Sequence, residues 1–383
     1  MKQANTSPLK NRIRLIIFIG LILRVAMALR FNAMNESYFG YDESVYYSLA
    51  QNMASNGPFA YTLSGAPLIL QSYKVWYLSE PLFHHPPLYT WLLYLWQQLF
   101  GSSILVSRIP NILIGLATIY IVYLIGSRLS EETGLIAAFL IAISALNIQQ
   151  SGLILTDNLL AMLTAAFILF TIQLSEGKSS ALILCGLTLG LAVWTKYFGL
   201  LVFVFILSYT FFKKISIRQA QAVLAVAAVI SVPWFIWNLR VYGLPIPIET
   251  WKALAPWYNV NVPFYAYLLF LPLIAPFTLL TYINIGRLRR DPLKTGLALV
   301  FITYLAFFSI PQGKEIRFIL PALTPAAILA ADYIGNVQGQ LKKHILLIYA
   351  VVTLFVSLVF IRGSYFYYLP LWYFHKVYPF LAP

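Results

Sequence analysis

The sequence predicts an all-α polytopic membrane protein with about eleven transmembrane helices, and composition is the first reason. Apolar residues make up 60% of the 383 residues and charged residues only 10%, and the mean hydropathy is +0.78. A soluble globular chain carries about 25% charged residues, so this chain has too few to cover a surface exposed to water. The apolar runs are continuous, without the alternation of barrel strands, which predicts helices.

The length of the apolar runs is the second reason. A helix needs roughly 20 residues to cross about 30 Å of hydrocarbon, and runs of about that length recur along the chain. Hydropathy places eleven spans at residues 13–32, 104–127, 134–155, 158–175, 180–195, 197–212, 219–238, 264–286, 295–311, 317–335 and 344–362.

The basic residues predict the orientation of these spans. With the N-terminus in the cytoplasm, every interior loop contains Lys or Arg, as cytoplasmic loops do. These residues are Arg128, Lys178, Lys213, Lys214, Arg218, Arg287, Arg289, Arg290, Lys294, Lys342 and Lys343. The first apolar run lacks a small-residue cleavage site and predicts an uncleaved first helix. We therefore expect one transmembrane domain over residues 1–383, without a separate soluble domain, in the plasma membrane with its active site on the extracytoplasmic side.

Two exterior segments are unusually long, at residues 33–103 and 240–263. Long loops in compact proteins are usually functional or disordered. Both segments are rich in Tyr, Trp and Pro, which predicts ordered structure at the membrane interface. Within the first, the apolar stretch 86–100 is too short to span the membrane comfortably, so we expect an interfacial or re-entrant helix there.

The net charge of +14 does not indicate binding to nucleic acid, because the Lys and Arg residues lie in short clusters between apolar runs. The single cysteine, Cys185, lies within an apolar run. A disulfide within the chain and a metal site built on paired cysteines are both excluded.

Acidic residues are scarce, and several fall on the predicted exterior face. Asp42 and Glu43 follow the first span among aromatic residues, where partial desolvation suits one carboxylate to work as a general base near neutral pH. Asp157 is a second exterior carboxylate, at the turn between the third and fourth spans. The alternative is structural: Asp42 would cap a helix at 44–54 with Glu43 in its first turn, and Asp157 would also be a cap.

Basic and histidine side chains on the same face predict a binding site for phosphate. Lys196 divides two apolar runs there, although a lysine in that place could also extend to the lipid headgroups. A metal site formed by the histidines with the carboxylates is a weaker hypothesis, because a His pair is more often a solvated loop feature. The candidate binding residues are His84, His85, Asp157, Lys196, Arg240, Lys314, Glu315 and Arg317.

Several short motifs of this sequence resemble those of a known superfamily. The sequence is similar to the GT-C superfamily of polyprenyl-phosphate-sugar-dependent glycosyltransferases, in the branch with protein O-mannosyltransferases and the lipid A aminoarabinose transferase. The matching motifs, in family order, are Tyr41-Asp42-Glu43-x-x-Tyr46, His85-Pro86-Pro87-Leu88, Ser107-Arg108-Ile109-Pro110-Asn111, Thr156-Asp157, Gly190-Leu191-Ala192 to Lys196, Pro233-Trp234 to Asn238, and Arg317-Phe318 to Pro321.

The resemblance implies an inverting transfer in which Asp42 is the base and polyprenyl phosphate leaves. Lys196, Arg240 and Arg317 would stabilise the charge of the leaving phosphate. Some GT-C enzymes hold a divalent metal ion at positions equivalent to Asp42 and Asp157, and others do not. The acceptor implied is a lipid, a glycan or a protein, with protein in doubt because this chain lacks the soluble domain of protein mannosyltransferases.

A membrane transporter is the alternative from another class, together with a flippase for lipid-linked sugars or a scaffold without catalytic activity. A transporter predicts inverted repeats and ionisable residues near the bilayer midplane. Here the ionisable residues gather at one face, and Arg24 in the first span is the main exception. The sequence therefore favours the transferase.

Overall fold

The structure is a computed structural model that describes residues 7–33, 41–61, 86–246, 263–286, 288, 291–311 and 315–362. Every regular element within these ranges is helical. Residues 34–40 and 62–85 of the first long exterior segment and 247–262 of the second lie outside the described residues, which leaves out His84 and His85, and Lys314 is left out as well.

The first half of the described chain contains eight α-helices. They are α1 (Ser7–Ala33), α2 (Tyr41–Asn56), α3 (Leu88–Phe100), α4 (Ile104–Gly126), α5 (Glu131–Ile143), α6 (Ala145–Ser151), α7 (Asp157–Ser175) and α8 (Ser180–Thr195). The helix α2 begins at Tyr41, so Asp42 and Glu43 both lie in its first turn.

The second half contains seven more α-helices and two 3₁₀ segments. They are the 3₁₀ segment Tyr197–Phe203, α9 (Val204–Phe211), α10 (Ile217–Tyr242), α11 (Ala266–Ile274), α12 (Phe277–Ile285), α13 (Pro292–Ser309), the 3₁₀ segment Ile316–Ile319, α14 (Leu320–Gly335) and α15 (Gly339–Arg362).

Six helices among the described residues are long and apolar enough to cross a membrane, and the bent pair α5 and α6 makes a seventh. The prediction of a helical protein with several membrane spans is confirmed at this level. The count of eleven stays a prediction, because some predicted spans consist of shorter pieces. Residues 264–286 form α11 and α12, which are separated at Ala275 and Pro276. A proline in that place has no N–H to continue the helix.

The helices α7 and α14 form the centre of the bundle. Of their apolar windows, 78% and 83% of the residues are buried, against 11% for α15 at the periphery. Their side chains belong to one large apolar cluster that also includes residues of α4, α5 and α13. Both central helices begin at the same end of the bundle, where Asp157 opens α7 and Arg317 precedes α14.

The opposite end of the bundle is joined by ion pairs at the helix ends. One cavity of about 520 Å³ lies beside the most buried of these pairs. The pairs are Arg128 with Glu176, Lys342 with Glu132, and Lys294 with Asp332.

The helices α8 and α10 pack closely through two glycines of α8. An added Cβ on Gly186 would lie 2.4 Å from the Cβ of Val226, and one on Gly190 would lie 2.6 Å from the Cβ of Ile230. Small residues four apart let helix backbones approach in a membrane, where van der Waals packing drives association. Cys185 lies beside Gly186 and is fully buried.

We expect Gly190→Leu to lower the melting temperature of the purified protein in detergent, because no leucine side chain fits between α8 and α10. Overpacking of this kind costs about 1–3 kcal/mol. Ile183→Leu is the matched control, since Ile183 is on the same helix and exposed. Equal melting temperatures for the wild type and Gly190→Leu would contradict this account of the packing.

Candidate active site

Four chain segments bring charged side chains together at one end of the bundle. Asp42 lies in the first turn of α2, and Asp157 is the first residue of α7. Lys196 is the C-cap of α8, and Arg317 lies in the 3₁₀ segment before α14. The segments are far apart in sequence, so only the folded bundle assembles this group of charges.

Ion pairs connect the four side chains. The Lys196 ammonium donates to Asp157 Oδ1 at 2.7 Å, and Arg317 Nε lies 3.9 Å from Asp157 Oδ2. Arg317 Nη2 also donates to Asp42 Oδ2. Arg317 therefore contacts both carboxylates and makes one charged network of the four residues.

The network is largely buried, and aromatic rings cover its cations. Asp157 is 1% exposed and Lys196 4% exposed, whereas the Asp42 side chain keeps 26% of its surface. The Lys196 ammonium lies 5.2 Å from the ring centroid of Phe318, a cation–π distance. Lys196 thus points into the protein toward Asp157 rather than toward lipid headgroups. Asp42 is the carboxylate of the network with access to solvent.

Glu315 adds a third carboxylate, with its Oε2 atom 2.5 Å from Arg317 Nε. Burial raises the pKa of the Glu315 carboxyl above its ordinary value, and Arg317 opposes this rise. The nearby carboxylates of Asp42 and Asp157 add to the rise. Glu315 is therefore easier to protonate than an exposed glutamate.

Glu43 is held in a different place from its neighbour Asp42. Its Oε1 atom pairs with Arg108 Nη1 at 3.1 Å and accepts from the Ile154 N–H at 2.8 Å. Both side chains of the pair are almost fully buried. These contacts tie α2 to α4 and to the segment before Asp157, so they indicate a structural role for Glu43. The sequence alone did not distinguish the two adjacent carboxylates.

Two asparagines hold the segment 152–156, which immediately precedes Asp157. Asn111 Nδ2 donates to the carbonyl oxygens of Leu153 and Leu155 at 2.5 Å and 2.8 Å. Asn158 Nδ2 donates back to the Asn111 carbonyl oxygen at 2.8 Å. This arrangement explains the Asn in the Arg108 to Asn111 motif, whose contacts could not be inferred from its spacing.

A second set of hydrogen bonds fixes the residue after Lys196. The Tyr197 hydroxyl accepts from Trp234 Nε1 at 2.9 Å and from Asn238 Nδ2 at 3.0 Å. The motif from Pro233 to Asn238 therefore anchors the turn that carries Lys196. Sequence analysis did not single out Tyr197.

The remaining predicted residues are not part of this network. Arg240 is exposed in the last turn of α10 and forms no ion pair with a described residue. His84, His85 and Lys314 lie outside the described residues.

The described residues do not fit a divalent metal ion at the predicted position. Arg317 contacts Asp42 and Asp157, and Lys196 holds the other oxygen of Asp157. Two cations thus take the places next to the carboxylates. No group of three metal-binding side chains occurs among the described residues.

The chain is similar in sequence to several known proteins. Residues 84–237, which include Asp157 and Lys196, match the family model described as dolichyl-phosphate-mannose-protein mannosyltransferase. Two Pseudomonas fluorescens proteins are similar in sequence, each named undecaprenyl phosphate-alpha-4-amino-4-deoxy-L-arabinose arabinosyl transferase 1. One is 27% identical over 81% of this chain and 56% of its own length, and the other 24% identical over 83% and 59%. The chain thus spans somewhat more than half the length of these relatives.

Solved structures with the same fold come from two kinds of protein. ArnT from Cupriavidus metallidurans bound to undecaprenyl phosphate superposes with a TM-score of 0.68 at 17% identity, covering 90% of this chain and 63% of that one. The archaeal oligosaccharyltransferase AglB from Archaeoglobus fulgidus gives a TM-score of 0.63 at 15% identity, covering 95% and 56%.

Together the fold and the charged network define a multi-pass helical membrane protein with a buried ion-pair network at one end of its bundle. The chain is similar in sequence to the mannosyltransferase family model over residues 84–237 and to the two arabinosyl transferases, and it shares its fold with ArnT and AglB.

We expect Glu315→Gln to raise the melting temperature at neutral and higher pH, because burial disfavours the charged Glu315 carboxylate. A raised folded-state pKa means that stability is greatest with Glu315 protonated and falls as the pH rises through that pKa. Glutamine mimics the neutral acid, so the difference should vanish as the pH falls. A difference that is constant across the pH range would contradict the burial effect.

Proposed function

We propose that this chain is an inverting glycosyltransferase that moves a sugar from a polyprenyl-phosphate carrier to an acceptor hydroxyl on the extracytoplasmic side. The observation that carries the proposal is the Arg317 guanidinium, which contacts both Asp42 and Asp157 while Lys196 holds the other oxygen of Asp157. A base and two cations within one network are what transfer from a phosphate-bearing donor needs.

Asp42 is the proposed general base. The acceptor oxygen attacks the anomeric carbon of the sugar as its proton passes to the Asp42 carboxylate. The bond between the anomeric carbon and the phosphate oxygen breaks, and polyprenyl phosphate leaves with both electrons of that bond. Asp42 suits this role because it is the most exposed of the described carboxylates in the network, whereas Glu43 pairs with Arg108.

Lys196 and Arg317 are the proposed stabilisers of the leaving phosphate. Positive groups fixed in a site of low dielectric stabilise developing negative charge strongly. The N-terminal ends of α2 and α7 also meet at this site, and helix N-termini favour anions. In the structure the carboxylates occupy the places next to these cations, so donor phosphate binds by sharing the cations with Asp42 and Asp157.

The predicted eleven spans are consistent with this site. Six predicted spans separate Asp157 from Arg317 and two separate Asp157 from Lys196, and an even number returns the chain to the same face. Two spans separate Asp42 from Asp157 only if α3 does not cross the membrane. The contact of Arg317 with Asp42 and Asp157 supports an interfacial α3 and an even number of spans between these residues. The basic residues of the predicted interior loops then favour the extracytoplasmic face for the site.

The similar proteins suggest the donor. The two Pseudomonas fluorescens relatives are named for an undecaprenyl-phosphate-linked aminoarabinose, and the ArnT structure holds undecaprenyl phosphate. We propose undecaprenyl phosphate as the carrier and a pentose or hexose as the sugar. The proposed acceptor is a lipid or glycan hydroxyl.

The direct test is transfer by the purified protein in nanodiscs. Undecaprenyl-phosphate and dolichyl-phosphate sugars would be supplied with lipid, glycan and peptide acceptors, and release of polyprenyl phosphate would be measured. We expect release that depends on the acceptor. Binding of the carrier without any release across the panel would instead favour a flippase.

We expect Asp42→Asn to lower the transfer rate by about 10²–10⁴-fold, the usual contribution of a general base. Binding of undecaprenyl phosphate should change little, because Asn keeps the shape of the side chain and Lys196 is untouched. Glu132→Gln is the matched control, since Glu132 is exposed at the opposite end of the bundle. Full turnover by Asp42→Asn would exclude Asp42 as the base.

We expect Lys196→Met to weaken the affinity for undecaprenyl phosphate about tenfold or more, because the ammonium that contacts the phosphate is lost. Methionine keeps the packing against Phe318, but Asp157 loses its closest partner. The double variant Lys196→Met with Asp157→Asn removes both charges and guards against misfolding. An unchanged affinity in the folded double variant would exclude Lys196 from the phosphate site.

A further inference from the structure

Arg24 is a fully buried cation in the middle of α1 that the proposed reaction does not use. No carboxylate among the described residues forms an ion pair with it. A charged side chain inside the hydrocarbon region is costly, and such residues usually serve function. Arg24 therefore requires a specific explanation.

The Arg24 guanidinium donates hydrogen bonds to backbone carbonyl oxygens at the bend between α5 and α6. Nη1 donates to the Ala142 carbonyl oxygen at 3.0 Å, and Nη2 donates to that of Ile141 at 3.3 Å. Both carbonyls lie in the last turn of α5, just before the chain bends by 60° into α6. Carbonyls at a helix end lack partners in the helix, and within a membrane they must be satisfied by other groups. Arg24 supplies those donors.

The same side chain also reaches the end of α6. Arg24 Nε donates to Ser151 Oγ at 3.1 Å, and Ser151 Oγ accepts a second hydrogen bond from Asn158 Nδ2 at 3.3 Å. Asn158 is the neighbour of Asp157 in the first turn of α7. Arg24 thus contacts both the end of α5 and the end of α6. Two hydrogen bonds that share Ser151 Oγ connect it to Asn158, the residue after Asp157.

The helix α4 packs closely against the hydrogen bond between Arg24 and Ser151. An added Cβ on Gly115 of α4 would lie 2.7 Å from Arg24 Nε and 2.3 Å from Ser151 Oγ. A glycine at this position lets α4 pass close to the hydrogen bond. The contact between Arg24 and Ser151 is therefore enclosed on the side of α4.

We propose that Arg24 is a positioning residue for Asp157: by bridging the end of α5 and the end of α6, it fixes the bend that aims residues 152–156 and Asp157 at Lys196 and Arg317. The inference rests on the proposed function only for the consequence in donor binding. The geometry itself concerns the pair between Asp157 and Lys196, whatever the substrate.

The first test is structural and needs no activity. Arg24→Lys keeps the charge, but one ammonium cannot reproduce the planar fork that joins Ser151 to the Ile141 and Ala142 carbonyls. We expect a cryo-electron microscopy structure of this variant to show Asp157 displaced from Lys196. Arg14→Lys, at an exposed position of α1, is the control. An intact pair of Asp157 and Lys196 in Arg24→Lys would overturn the inference.

The second test measures the affinity for undecaprenyl phosphate in nanodiscs, corrected for the folded fraction. Arg24→Lys should weaken binding about tenfold in the wild-type background and less than about twofold in an Asp157→Asn background. Residues that act through one another are not additive in such a cycle. Equal losses in both backgrounds would overturn the inference, because they would indicate a role independent of Asp157.

The two tests separate this inference from the proposed function. If wild-type protein does not bind undecaprenyl phosphate at all, the proposed donor is wrong, and the structure of Arg24→Lys still decides whether Arg24 positions Asp157. If wild-type protein binds and transfers but Asp157 keeps its place in the variant, the proposed function stands and the positioning role of Arg24 falls.

Discussion

The structure depends on one constraint: a charge that enters the bundle must meet an opposite charge or a set of dipoles there, because lipid offers neither. Asp157 satisfies it with Lys196 and Arg317, Glu43 with Arg108, and Arg24 with carbonyl oxygens. Each solution joins helices that are distant in sequence. In a soluble protein such charged groups would lie on the surface. Here they lie inside the bundle, and their ion pairs and hydrogen bonds connect the helices.

This constraint also explains the short motifs of the sequence. Tyr46 of the first motif has its hydroxyl 3.5 Å from Thr156 Oγ1, beside Asp157. Asn111 fixes the segment before Asp157, and Trp234 fixes the residue after Lys196. The motifs thus pack against one another, and Tyr46, Asn111 and Trp234 contact the segments that carry Asp157 and Lys196.

The helical bundle and the main charged residues of the candidate site could be predicted from the sequence. Continuous hydropathy predicted the helical bundle, because the bilayer requires long apolar helices. The scarcity of acidic residues drew attention to Asp42 and Asp157, which the structure brings to one network with Lys196 and Arg317.

The different surroundings of Asp42 and Glu43 and the bend between α5 and α6 could not be predicted from the sequence. Asp42 and Glu43 are adjacent and chemically alike, and only the positions of Arg317 and Arg108 give them different surroundings. The bend at Ser144 could not be predicted either, since no proline or glycine marks it. Arg24, more than a hundred residues earlier, donates a hydrogen bond to a carbonyl oxygen just before that bend.

Cys185 offers a practical consequence of the dense packing around α8. It is the only cysteine of the chain, and its side chain is completely enclosed beside Gly186. Water-soluble maleimides will not reach it in the folded protein. A cysteine introduced at a water-exposed position can therefore carry a single fluorophore or spin label on the otherwise native sequence, so distances and sidedness become measurable without first preparing a cysteine-free background.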